Sequence, residues 1–177
     1  MRHAHRVLAL CTALALVGVS AAVAQGHPQT RKGFWIGFGF GYGSLGLEGL
    51  SDRQGAVTGF LKMGGTVGPK LLIGGESNGW VDDDFGGSTL YVGNASLTAY
   101  YYPNPESGFS LRGGVGFASQ QVEGFDPETG FGLVLGVGYD WRVGVNTSLN
   151  PVLNYNWGDI NGFGQNVIQV AIGVTFH

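Results

Sequence analysis

Large apolar side chains recur at every second position through most of this chain, with glycine or a polar residue between them. The segment that begins at Phe34 shows the pattern most clearly. One phase holds Phe34, Ile36, Phe38, Phe40 and Tyr42, and the other holds Gly37, Gly39, Gly41 and Gly43. A period of two is the period of a β-strand, whose successive side chains point to opposite faces. The alternation therefore predicts strands with one apolar face.

Eight segments carry this alternation. Each is about as long as a strand that crosses a bilayer, which needs roughly 9–11 residues. The predicted strands cover about residues 34–45, 54–66, 70–80, 89–102, 108–119, 130–142, 147–157 and 165–176.

The composition decides what kind of sheet these strands form. Charged residues make up 12% of the chain, against a usual share of about 25%. Glycine is abundant, at 34 of 177 residues. Backbone groups in lipid must be bonded internally, so a membrane sheet has to close. We expect an all-β fold: a closed antiparallel up-and-down transmembrane β-barrel of about eight strands.

The first 24 residues have the features of a secretory signal peptide. Arg2 and Arg6 precede an apolar stretch, and Ala22-Val23-Ala24 is a small-x-small cleavage site. We expect residues 1–24 to be removed, 25–32 to form a flexible lead and 33–177 to form the barrel. The location expected for such a barrel is the bacterial outer membrane. The remaining chain has no cysteine and an excess of acidic residues, which argues against nucleic-acid binding.

Single charged residues interrupt four of the predicted strands. Each falls on the face opposite the long apolar side chains, and the signs balance; they are Lys62, Glu76, Arg112 and Asp140. A cation that faces hydrocarbon costs up to about 2–4 kcal/mol near the midplane. A narrow barrel is filled by its own side chains. We therefore predict an ion-pair network of these residues in the lumen.

Aromatic residues gather near the strand ends, where amphipathic rings favour the two bilayer interfaces. The predicted aromatic girdle consists of Trp35, Trp80, Tyr101, Trp141, Tyr155 and Trp157.

The connections after the odd-numbered predicted strands are longer or more acidic than the others. Because bacterial barrels have short periplasmic turns and longer external loops, we expect the acidic connections at the cell surface. There they could contact lipopolysaccharide or an extracellular ligand. Asp82-Asp83-Asp84 could bind a divalent cation, but such a run is more typical of a solvated loop, and no metal site is predicted.

Little in the sequence supports catalysis or a cofactor. Residues 41–46 match G-x-G-x-x-G, but no helix follows to bind a phosphate. After the signal the histidines are His27 and His177, neither inside a predicted strand or external loop where a catalytic triad could form. We expect a protein that is not an enzyme and has no cofactor.

The strand pattern, the signal peptide and the segment Ile172-Gly173-Val174-Thr175-Phe176-His177 resemble small outer-membrane barrels of the OmpA-membrane-domain, OmpX and opacity-protein type. The resemblance covers about residues 33–177. It implies a structural, adhesive or surface-interaction role, with Ile172, Val174 and Phe176 read by the barrel-assembly machinery. In that family Phe is the terminal residue, whereas here His177 follows Phe176.

Two alternatives stay open from the sequence. One is a narrow channel for ions or small solutes, suggested by the many small inward residues. The other is a soluble lipocalin-like binding barrel, which would need an apolar lumen and a polar outer face.

Overall fold

The computed structural model describes residues 29–177, and this part of the chain is built from β-strands. The predicted signal peptide and residues 25–28 of the predicted lead lie outside the described residues. The strands are β1 (Phe34–Leu47), β2 (Gln54–Gly68), β3 (Leu71–Phe85), β4 (Ser88–Tyr101), β5 (Phe109–Val122), β6 (Glu128–Tyr139), β7 (Trp141–Arg142), β8 (Thr147–Ile160) and β9 (Phe163–Phe176). Residues 29–177 contain no helix long and apolar enough to span a membrane.

The strands form one closed antiparallel sheet. Each long strand pairs with its neighbour in sequence, β6 pairs with β8, and β9 returns to pair with β1. β7 is a two-residue continuation of β6 beyond Asp140 and pairs with the start of β8. The predicted fold, an eight-stranded up-and-down barrel, is confirmed.

The barrel has two ends, which we name by the chain path. The near end holds the start of β1, the end of β9 and the connections 69–70, 102–108 and 143–146. The far end holds the connections 48–53, 86–87, 123–127 and 161–162. The far-end connections are those that follow the odd-numbered predicted strands, which we expected to be the longer ones. They are not longer than the near-end connections, so this part of the expectation is wrong.

Two of the far-end hairpins are tight because their turn residues adopt positive φ. Gly86 and Gly87 have φ of 63° and 86°, and Asn161 and Gly162 have 56° and 84°. Two successive residues at positive φ match the right-handed twist of the flanking strands. The strands consequently run on through residues assigned to loops, and Asp82–Asp84 lie within β3.

The two faces of the sheet differ sharply in chemistry. The outer face carries exposed apolar side chains on every long strand, including Phe40, Leu97, Phe117 and Leu135. The inner face carries buried polar and charged residues together with three small apolar clusters. This arrangement is the inverse of a lipocalin-like barrel.

Candidate functional site: the interior of the barrel

A carboxylate on β3 lies at the centre of the interior. Arg112 on β5 contacts Glu76, with 3.3 Å between Nη1 and Oε1, and both side chains are buried. The Tyr100 hydroxyl also donates to Glu76, and the Asn78 amide donates to it at 3.0 Å. Asn154 approaches the same carboxylate from β8 at 3.5 Å. The carboxylate thus joins strands on different sides of the barrel.

Lys62 lies opposite Glu76 in the β2–β3 register, and it too is buried. Its ammonium lies 5.8 Å from the ring centroid of Phe60 and 5.5 Å from that of Tyr100. Within residues 29–177 no carboxylate oxygen lies within 4 Å of it. The lysine therefore contacts aromatic rings and forms no direct ion pair.

A second ionic group closes the near end. Arg31, in the segment before β1, places Nε 3.7 Å from the Asp140 Oδ2. Its other nitrogens donate to the carbonyls of Pro105 and Ser107, both at 2.9 Å. The guanidinium also lies 3.6 Å from the centroid of the Tyr102 ring. Arg31 belongs to the predicted lead and is only 5% exposed. The flexibility of this segment stays a prediction.

Asp140 has neutral partners in the same group. Tyr102 donates its hydroxyl to Oδ2 at 2.7 Å, and Asn150 donates to Oδ1. Burial, together with the adjacent Asp140, raises the pKa of Tyr102. The phenol therefore stays protonated and remains a donor to the carboxylate.

The four predicted lumen residues thus lie inside the barrel but do not form one network. Glu76 pairs with Arg112, whereas Asp140 pairs with Arg31, a residue that the strand alternation does not reach. Arg142 was also missed. It is buried, and its Nη2 donates to the Thr30 carbonyl. The period-two pattern does indicate an inward position for Arg142, because Arg142 lies two residues after the inward-facing Asp140.

Two members of the predicted girdle lie in the interior. Trp35 is 2% exposed and packs edge-on against Tyr100, with ring centroids 5.0 Å apart. Trp80 is 1% exposed, donates its indole N–H to the Gly43 carbonyl at 3.0 Å, and packs against Leu45, among others. Their assignment to the outer girdle is wrong, since both occupy inward positions in the period-two pattern.

The other predicted surface residues are on the lipid side. Tyr101 and Tyr155 are exposed, while Trp141 and Trp157 are partly exposed. The C-terminal residues Ile172, Val174 and Phe176 occupy the outer face of β9, in register with β1. Their part in assembly stays a prediction.

Glycines on β1 allow the strands to approach closely around this interior. A Cβ on Gly41 would lie 2.0 Å from the Val170 carbonyl oxygen and 2.5 Å from the Ala171 Cα. These are backbone atoms that cannot move aside. The glycine run thus serves strand packing here and forms no phosphate-binding loop, since no helix follows β1.

A pocket in the far half of the barrel, lined by Asn78, Trp80, Asn94, Asn156 and Gln165 among others, has about 20 Å³ of free volume, room for one water molecule. Residues 29–177 contain no group of three or more His, Cys, Asp or Glu side chains placed to bind a metal ion.

A closed barrel with an apolar outer wall and an ionic interior defines an integral β-barrel membrane protein, because only a closed sheet satisfies its backbone in lipid. The family model described as "Outer membrane protein beta-barrel domain" matches residues 9–176, and the chain belongs to that family. It is a protein of the bacterial outer membrane.

Solved structures with the same fold include three small barrels. The Neisserial surface protein A, NspA, is 15% identical, with 83% of this chain and 98% of that chain covered and a TM-score of 0.62. Ail, the attachment invasion locus protein of Yersinia pestis, is 13% identical, with 82% and 99% covered and a TM-score of 0.55. The N-terminal barrel domain of Pseudomonas aeruginosa OprF is 14% identical, with 83% and 100% covered and a TM-score of 0.52. At these identities the likeness establishes the fold alone. A comparison with curated protein sequences gave no significant match.

Proposed function

We propose that this protein is a non-enzymatic outer-membrane barrel whose lumen is plugged by its own side chains and whose far end faces the cell exterior. The observation that carries the proposal is the content of the lumen. Trp80 and its apolar neighbours fill the far half, Glu76 and Arg112 cross the middle, and Arg31 with Asp140 fills the near end. Side chains from all three groups project into the lumen, and this supports a plugged barrel.

This filling does not favour the channel alternative. A hydrated ion would have to displace both a buried ion pair and an apolar cluster. Purified protein reconstituted in planar lipid bilayers should therefore give no stable single-channel conductance. Stable unitary currents from the folded protein would contradict the plugged lumen.

The far end has features of a contact surface. Leu50, Phe125 and Phe163 are 64%, 72% and 74% exposed. Crevices of about 270–320 Å³ lie between the far-end connections. Exposed apolar side chains beside clefts are typical of sites that bind other molecules.

The charged residues at the far end are mainly acidic, and their charge restricts which molecules this surface can bind. The acidic side chains are Glu48, Asp52, Asp82, Asp83, Asp84, Glu123, Asp126, Glu128 and Asp159. One structure of Ail is a complex with the heparin analogue sucrose octasulfate. The negative field here disfavours such a polyanion. We propose instead that this surface contacts lipopolysaccharide through bridging divalent cations, or a ligand with basic groups.

The surface proposal is tested by unfolding the reconstituted protein in vesicles with and without lipopolysaccharide, both with Mg²⁺. We expect a higher unfolding midpoint in lipopolysaccharide. The triple substitution Glu123→Gln, Asp126→Asn, Glu128→Gln should remove most of that gain, whereas Glu106→Gln at the near end should keep it. Equal midpoints in the two kinds of vesicle would contradict lipopolysaccharide contact.

A further inference from the structure

The charged side chains enclosed by the barrel do not balance in sign. In residues 29–177 the buried cations are Arg31, Lys62, Arg112 and Arg142, and the buried carboxylates are Glu76 and Asp140. Each carboxylate is paired with one arginine. Lys62 and Arg142 are therefore left without an acidic partner within 4 Å. Buried charge without a counter-charge is strongly unfavourable.

Two of the three guanidinium nitrogens of Arg142 also lack a hydrogen-bond partner. Its side chain is fully enclosed, and Nη2 donates to the Thr30 carbonyl. Nε and Nη1 are buried with no partner. Buried guanidinium N–H groups are seldom left unbonded, because the lost hydration is not replaced.

Unpartnered hydroxyls continue from Arg142 along one row of the inner wall. Arg142 is in register with Ser148, and Ser148 with Thr175. Both hydroxyls are buried and without a partner. The next position in the row is Gly37, which faces Lys62 on β2. A Cβ on Gly37 would lie 2.5 Å from the Thr175 Oγ1 and 2.8 Å from the Lys62 Cε, so these two side chains converge there.

His177 adds to the same end of the lumen. Both of its ring nitrogens are buried and unpartnered. Burial lowers the pKa of His177 to about 4, and Arg142, Arg31 and Lys62 contribute to the lowering although Asp140 opposes it. Three cations and one carboxylate thus lie close enough to act on the His177 ring.

We propose that the near end of the lumen binds a small oxyanion, of the phosphate or sulfate type, between Arg142, Ser148 and Thr175, with Lys62 at its flank. Charge-assisted N–H donors and hydroxyl donors are the groups that recognise such anions. A bound water could satisfy the hydroxyls but would leave the surplus charge in place.

This inference goes beyond the proposed function and does not depend on a closed lumen. A conducting barrel would fail the bilayer test above and could still bind phosphate here. The two proposals therefore fail separately.

The test is a calorimetric titration of the folded barrel with inorganic phosphate, in detergent micelles and in a Bis-Tris buffer, a cationic buffer without sulfonate, with gluconate as the other anion. We expect saturable binding of one phosphate per barrel. Arg142→Gln should weaken it at least tenfold, and the double substitution Ser148→Ala, Thr175→Val should also weaken it. Lys70→Gln, which removes an exposed near-end cation, should leave the affinity unchanged.

Two results would overturn the proposal. One is the absence of saturable phosphate or sulfate binding by the wild-type protein. The other is an affinity that falls equally in Lys70→Gln and in the site variants, since this would show attraction to net charge alone. If Arg142→Gln fails to fold, the double variant of Ser148 and Thr175, which keeps every charge, provides the test. Weaker phosphate binding in this variant would support the proposal, and unchanged binding would contradict it.

Discussion

At the scale of single residues, the stability of the barrel depends on how each buried charge is compensated. Glu76 is the clearest case, because Arg112, Tyr100, Asn78 and Asn154 all direct donors at its carboxylate. Whether such a buried pair adds net stability depends on the desolvation of both ions. Removing one partner of the pair destabilises the barrel, because the other charge stays buried without a counter-charge.

Glu76→Gln should destabilise the barrel by about 3–5 kcal/mol, because Arg112 would lose its counter-charge in the interior. Denaturant unfolding in micelles, followed by tryptophan fluorescence, measures the change. The exposed Glu106→Gln is the matched control and should have no measurable effect. Combining Glu76→Gln with Arg112→Met should recover part of the loss; a double variant no more stable than the single one would contradict this pairing.

His177 should make stability depend on pH. The native pKa of about 4 lies below the ordinary value of 6.5, mainly because of burial. Between these values the unfolded chain binds more protons than the native barrel, so stability rises with pH in that window. In oxyanion-free buffer, stability should therefore fall as the pH is lowered from about 6.5 towards 4. His177→Gln should reduce this dependence, and an identical pH profile in the variant would refute the assignment.

At the scale of the elements, the period-two pattern was sufficient to locate all eight barrel strands. It could not predict their full lengths, because hairpin pairing continued through acidic residues that would suit a loop. The turn pairs Gly86-Gly87 and Asn161-Gly162 were readable in the sequence as tight-turn signals. We nevertheless expected longer loops at these two turns, because external loops of bacterial barrels are generally long.

The glycines of β1 provide a prediction about strand packing. Gly41→Ala should destabilise or misassemble the barrel, because the new methyl group would collide with backbone atoms of β9. Gly65→Ala on β2 is the control, since nothing lies within 4 Å of its added methyl group. Folding yield can be read from the heat-dependent shift in gel mobility. Equal yields for the two variants would contradict the close approach of β1 and β9.

The outer face of β6 provides a test of depth in the membrane. Leu135→Arg, near the middle of the strand, should cost about 2–4 kcal/mol, whereas a site near the interface should cost about 0–1. Thr129→Arg lies on the same face of the same strand at its far end. Folding equilibria in lipid vesicles should separate the two variants by this difference. Similar values would mean that the assumed position of β6 in the bilayer is wrong.

At the scale of the whole molecule, the closure of the sheet into a barrel could be predicted from the sequence. Apolar residues in one phase and charges in the other require a sheet without free edges in lipid. The identity of the lumen residues was only partly predictable. Trp35 and Trp80 were readable as inward from their phase, but the general preference of tryptophan for interfaces was given more weight. Arg31 was beyond prediction, because it precedes β1 and reaches Asp140 only through the folded arrangement of the near end.

The inside and outside of the barrel can be distinguished most directly by the fluorescence of Trp80 and Trp157. Both residues border the small pocket in the far half, so they lie at a similar height. Trp80 is enclosed, and the ring of Trp157 packs on the outer face against Phe131, with centroids 6.2 Å apart. Two single-tryptophan variants, with the other tryptophans changed to Phe, would be reconstituted in bilayers of brominated lipid. The structure predicts strong quenching of Trp157 and little quenching of Trp80, whereas equal quenching of both would contradict a sealed barrel with its apolar face outward.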